Sequence, residues 1–120
     1  MKKLIISLAF LLAACASAFA FTDTPMWVTS ALTNDSAAMT QPGYCYGLMV
    51  TPDGTNNVTI NTYDNDSAAG GKIIHPAWTL TGSGGSQTLS FNPPMEIRNG
   101  IYVDVTTTGT VSYMVYYRRL

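Results

Sequence analysis

From residue 44 onward, apolar and polar side chains alternate with the two-residue period at which neighbours on a strand face opposite sides. Tyr44, Tyr46, Leu48 and Val50 alternate with Cys45, Gly47, Met49 and Thr51. Pro52-Asp53-Gly54 then reads as a turn, because proline presets φ and glycine takes the left-handed position. Val58, Ile60 and Thr62 alternate with Thr59, Asn61 and Tyr63, which predicts a hairpin of 44–51 with 57–63. Near the C-terminus, Ile101, Val103 and Val105 alternate with Tyr102, Asp104 and Thr106. Val111, Tyr113, Val115 and Tyr117 do the same with Ser112, Met114, Tyr116 and Arg118, and a loop containing Gly109 joins the pair into a second predicted hairpin.

Weaker segments fill the interval. Lys72 to Thr81 reads as a strand that is bent or lies at a sheet edge, because Pro76 has no N–H for a ladder. Gln87 to Phe91 is a strand ended by Asn92-Pro93-Pro94. Upstream, Met26-Trp27-Val28 and Ala37-Ala38-Met39 are short extended pieces. The pattern predicts an all-β, antiparallel β-sandwich or jelly-roll-like single domain of about six to eight short strands. Abundant Thr, Tyr, Gly and Asn, with a single glutamate, agree with strands and turns and argue against long helices.

The first residues follow a different pattern. Met1-Lys2-Lys3 is a short positive segment, Leu4 to Ala14 is apolar apart from Ser7, and small residues follow, as in a secretory signal. Ala18-Phe19-Ala20 is a small-x-small cleavage site, so a signal peptide of residues 1–20 would leave a domain of 21–120. Leu12-Ala13-Ala14-Cys15 resembles a bacterial lipobox, in which case the signal is 1–14 and Cys15 is lipidated. A membrane contact is expected only through such an anchor.

Without Lys2 and Lys3, the domain has four cations against seven carboxylates, a net charge of −3. Nucleic-acid binding needs clustered Lys and Arg, and Arg118-Arg119 alone does not supply that, so no nucleic-acid partner is expected. Cys45 is the sole cysteine of the domain and reads as a small buried hydrophobe. His75 has no partner at metal-ligand spacing and reads as a surface or half-buried strand residue. Asp64-Asn65-Asp66 supplies hard oxygens but not the loop spacing of an EF-hand, and Asp35, Asp53, Asp64 and Asp66 suit turn-capping. No serine lies in a nucleophile-elbow motif. No catalytic residue, metal ligand or cofactor is therefore expected. Tyr113 and Tyr117 share the apolar face and are assigned to the core, which leaves Tyr116 and Met114 on the opposite face as the candidate interface.

Several phrases carry a resemblance: Thr51-Pro52-Asp53-Gly54-Thr55-Asn56-Asn57-Val58-Thr59, Tyr63-Asp64-Asn65 and Ser67-Ala68-Ala69-Gly70-Gly71-Lys72. Phe91-Asn92-Pro93-Pro94, Asn99-Gly100-Ile101-Tyr102-Val103-Asp104-Val105 and Ser112-Tyr113-Met114-Val115-Tyr116-Tyr117 continue it. Together they resemble small β-sandwich virion proteins of tailed phages and prophages, of the structural or capsid-decoration type. The resemblance implies a non-enzymatic module that oligomerises or packs on a particle or fibre lattice, at the virion surface if the leader is unused. A used leader implies instead an envelope lipoprotein or a secreted, adhesin-like surface subunit.

Overall fold

The computed structural model describes residues 26–120, all of which belong to β-structure or its connections. The leader, with Cys15 and Ala20, lies outside the described residues. Eight strands follow one another: β1 (Trp27–Val28), β2 (Ser36–Met39), β3 (Gly43–Pro52), β4 (Val58–Asp64), β5 (Lys72–Leu80), β6 (Gln87–Ile97), β7 (Ile101–Thr107) and β8 (Val111–Arg119). They form two antiparallel four-stranded sheets, ordered β1-β8-β3-β6 and β2-β7-β4-β5. The architecture is the predicted sandwich, and its sheet order is that of a jelly roll, in which the chain passes back and forth between two sheets.

Neither predicted hairpin forms. β3 pairs with β6 and β8, whereas β4 pairs with β5 and β7, so residues 53–57 arch from one sheet to the other. β7 and β8 likewise lie in different sheets. Only β4 and β5 are consecutive strands paired in one sheet. Alternation marks a strand with one buried face but does not say which sheet buries it, and a short turn serves either geometry.

The inward faces supply the core. Leu48, Val50, Val58, Ile60, Leu80, Ile97, Ile101, Val103 and Val115 are almost fully buried, and Tyr113 and Tyr117 join them as assigned. The Tyr113 hydroxyl donates to the Asn34 carbonyl, which gives a buried polar tip its partner. Each fully buried aliphatic side chain contributes about 1.5–3 kcal/mol.

Within β3 the predicted phase breaks. Cys45 is buried, yet so are Leu48 and Val50, which belong to the other phase. The register with β8 slips between Cys45 and Gly47, so Tyr46 is an extra residue, and a one-residue slip exchanges the two faces. Gly47 permits this bulge. Its φ is +154°, and a Cβ there would stand 2.1 Å from the Leu89 carbonyl oxygen on β6. Pro76 lies at the edge as predicted: β5 is the outer strand of its sheet, and Pro76 and Ala77 bulge opposite Asn61. The strand expected to end at Asn92-Pro93-Pro94 instead runs through it as β6, because the prolines cost only ladder bonds on an edge strand, where pairing with β3 skips from Ser90 to Met95.

Replacing Gly47 should therefore be costly. Gly47→Ala is expected to lower stability by at least about 1–3 kcal/mol, the cost of overpacking a filled site. Gly70→Ala, whose Cβ meets nothing within 4 Å, should stay within about 0.5 kcal/mol of the parent. Urea unfolding of both variants provides the comparison, and equal destabilisation would remove the bulge's claim on glycine.

Candidate functional site

The side chains able to do chemistry are mostly engaged in holding the fold. Cys45 is fully buried on β3, and desolvation, only partly offset by a hydrogen bond with the Gly47 backbone, pushes its thiol up to about 12. At that value it is protonated at neutral pH and behaves as the small hydrophobe expected. His75 differs from expectation because it is buried rather than half-exposed. Its Nε2 lies 2.9 Å from the Thr62 hydroxyl and its Nδ1 2.6 Å from the Pro76 carbonyl oxygen, with the Phe91 ring tilted alongside. A carbonyl can only accept, so Nδ1 carries the proton and Nε2 accepts from Thr62 when the ring is neutral. The bend at Pro76 turns its own carbonyl into a partner for this inward-facing histidine.

Two carboxylates hold the arches at opposite ends of the sandwich. After β3, Asp53 accepts from the amides of Thr55 and Asn56, the Asn56 side-chain amide and the Thr110 amide. Because β8 lies beside β3 and β7 beside β4, the arches of residues 53–57 and 108–110 run side by side, and Asp53 joins them. The Thr108 hydroxyl adds a bond to Asn56. These donors, led by the Asn56 amide, hold the Asp53 carboxyl well below the usual range. At the other end Asp64, the last residue of β4, accepts from the amides of Arg98, Asn99 and Gly100 in the β6–β7 arch. Burial acts to raise its carboxyl, but those amides and nearby Lys72 outweigh it and hold it below the ordinary value. Its reach of 34 to 36 residues along the chain exceeds the local cap that the sequence suggested.

The same geometry dismantles the acidic triplet at Asp64-Asn65-Asp66. The Asp64 oxygens are turned to the arch, the Asn65 oxygen accepts from the amides of Ser67 and Ala68, and Asp66 accepts from the Ser67 hydroxyl. A groove of about 470 Å³ runs over this loop beside Lys72, Arg98 and Asn99, but its oxygens do not converge on one point. Among the described residues, no three His, Cys, Asp or Glu side chains are grouped for a metal ion.

Tyr116 and Met114 are half-buried on the outward face of β8. Tyr116 stands between Val28 of β1 and Gly47 of β3, and Met114 is opposite Met49 of β3. With Tyr44 beside Arg118 in the same register, they form an aromatic and thioether strip across the outside of this sheet. The structure thus brings the two candidate residues together, one strand position apart from Val28, an exposed apolar residue.

A second feature was not visible as a cluster in the sequence. Lys72 begins β5, Arg98 follows β6, and Arg118 and Arg119 end with β8, at the end of the sandwich where Gly43 pairs with Arg119 and Ile97. All four cations of the described domain therefore lie at one end. The Asp64, Asp66 and Glu96 carboxylates share that end, whereas Asp35, Asp53 and Asp104 have no cation near them in the topology. Arg119 lies over the rings of both Trp27 and Tyr117, with centroids 5.6 and 5.8 Å away. Glu96 meets Arg98 at 3.6 Å in an exposed pair. The usable signal was that each of these cations borders a strand terminus, Lys72 at a start and Arg98, Arg118 and Arg119 at ends, which becomes informative only once the sheet order is known.

The chain matches no protein-family model, no curated protein and no solved structure.

The Asp64 clamp makes a pH-dependent prediction. Its carboxyl ionises lower in the folded state than the ordinary value of about 3.9, so its charge stabilises the fold above that pH. The contribution is lost as the pH falls through the lowered value. Asp64→Asn should cost about 1.5–3 kcal/mol at neutral pH, the scale of hydrogen bonds to a charged group. Chemical unfolding from neutral to acid should show the difference from the parent closing below about pH 4. A difference that stays constant would mean that the charge is irrelevant to the clamp.

Proposed function

We propose that the domain is a non-enzymatic structural and interaction module of the phage-virion type, acting by packing on copies of itself or on a particle or fibre lattice. The observation that carries this reading is the jelly-roll sheet order, an architecture used by viral capsid and lectin domains. It is supported by the use made of the polar side chains. His75, Asp53 and Asp64 each serve the backbone or a neighbouring strand, and Cys45 lies in the core. The strip of Tyr116 and Met114 offers tyrosine and methionine, both enriched where protein surfaces meet.

A second reading has an observation of its own. The leader sequence, with its apolar run and Cys15, favours an exported subunit that is either held in the envelope by lipid or released as an adhesin-like protein. N-terminal sequencing of the native protein, with its cell fraction recorded, separates the two. Chain beginning at Met1 or Lys2 inside purified particles is the result expected of a virion protein. Processed chain found in membranes or medium, and absent from particles, would overturn that reading in favour of the exported one.

A further inference from the structure

We propose that the cationic end of the sandwich is a membrane-contact surface that rests on anionic lipid headgroups. The inference deepens the exported reading and rests on it.

Three observations meet at this end. The first is charge. The domain is acidic overall, yet Lys72, Arg98, Arg118 and Arg119 are all gathered where β5 begins and β6 and β8 end. The same end holds three carboxylates, of which Asp64 is buried under three backbone amides, Glu96 is paired with Arg98 and Asp66 is exposed, so the cations exceed them by one. The rest of the described domain carries carboxylates only, which makes the molecule a dipole with its positive pole at this end.

The second is exposed apolar surface. Met26, Trp27, Val28, Ile73 and Leu120 are the large hydrophobic side chains left in solvent, from 44 to 78% exposed. Met26, Trp27, Ile73 and Leu120 lie towards this end: Trp27 pairs with Tyr117, two pairs inside the terminal Gly43–Arg119 pair, Ile73 pairs with Tyr63 next to Lys72, and Leu120 follows Arg119, while Val28, opposite Tyr116, lies one pair further in. Aliphatic side chains, a tryptophan and several cations are the combination that suits the headgroup region. There, indole sits at the boundary and Lys or Arg meets lipid phosphate. The same combination on a face meant for water would be a liability.

The third is where the chain comes in. β1 runs away from this end, so Met26 joins the sandwich here, eleven residues after Cys15 in sequence. A lipid at Cys15 would hold the domain by the end that carries the cations and the exposed apolar groups. A lipobox cysteine carries two acyl chains or more, which suffice for attachment, so the basic, apolar surface beside the tether would set how the domain is oriented on the bilayer. The outer strip of Tyr116 and Met114 and the opposite, acidic end would then face away from the bilayer or along it.

The test uses Cys15→Ser protein exported by a bacterial host and purified in its leader-free form, checked by intact mass, so that neither an acyl chain nor the apolar leader can contribute. The protein is mixed with vesicles of phosphatidylcholine alone, or of phosphatidylcholine and phosphatidylglycerol in equal parts, and read by co-sedimentation and tryptophan emission. Binding is expected to the anionic vesicles only, with a blue shift that disappears in Trp27→Phe. Arg119→Gln and Lys72→Gln should each weaken binding about fivefold, as for the loss of one cation near an anionic surface. Circular dichroism should be unchanged, since both side chains are exposed. Absence of binding, equal binding to both vesicles, or binding indifferent to the two substitutions would overturn the proposal. Intact mass of the parent protein reports separately on the exported reading. Unprocessed chain ends that reading, while a chain starting at Phe21 ends lipidation but leaves the vesicle result to stand or fall alone.

Discussion

Every consecutive connection except the β4–β5 hairpin carries the chain from one sheet to the other, and the fold depends on holding those arches closed. An arch leaves the ladder of both sheets, so its amides need partners that neither sheet provides. Asp53 and Asp64 supply them at opposite ends, each with several amides on one carboxylate. The amides are not equivalent in origin. Asp53 gathers donors from its own turn and from the neighbouring arch, while Asp64 reaches from the end of β4 to an arch formed more than thirty residues later. A carboxylate suits both tasks because its two oxygens accept several bonds at once, and the charge strengthens each one.

The same economy of polar groups shapes what the molecule can do. A histidine with both nitrogens engaged and a cysteine protonated in the core are parts of the packing. What remains outward is surface, and that surface is divided. One sheet presents tyrosine and methionine across β8 and β3. One end gathers all the cations of the described domain, three carboxylates and exposed apolar side chains, and the rest carries carboxylates without cations.

Irregularities in the strands set the orientation of those surfaces. The bulge at Tyr46 exchanges the faces of β3 midway, so Cys45 and Leu48 point into one core although they fall on opposite phases of the sequence. It persists because Gly47 lets the Leu89 carbonyl approach where any Cβ would collide. At the sheet edges, Pro76 on β5 and Pro93-Pro94 on β6 interrupt the rows of free backbone groups that would otherwise template another strand.

Much of this was legible before any tertiary contact was known. The two-residue period identified β3, β4, β7 and β8, Pro76 marked an edge, and the C-terminal tyrosines separated into core and surface as their spacing required, whereas Asn92-Pro93-Pro94 did not end β6. These are local properties, set by which side of a pleat each side chain occupies. Strand partners were not legible: both predicted hairpins proved to be arches between sheets, because a half-buried strand looks the same whichever sheet covers it. The burial of His75, the long reach of Asp64 and the gathering of Lys72, Arg98, Arg118 and Arg119 at one end were invisible for the same reason. Each depends on segments far apart in the chain becoming neighbours, and only the order of strands in the two sheets decides which segments those are.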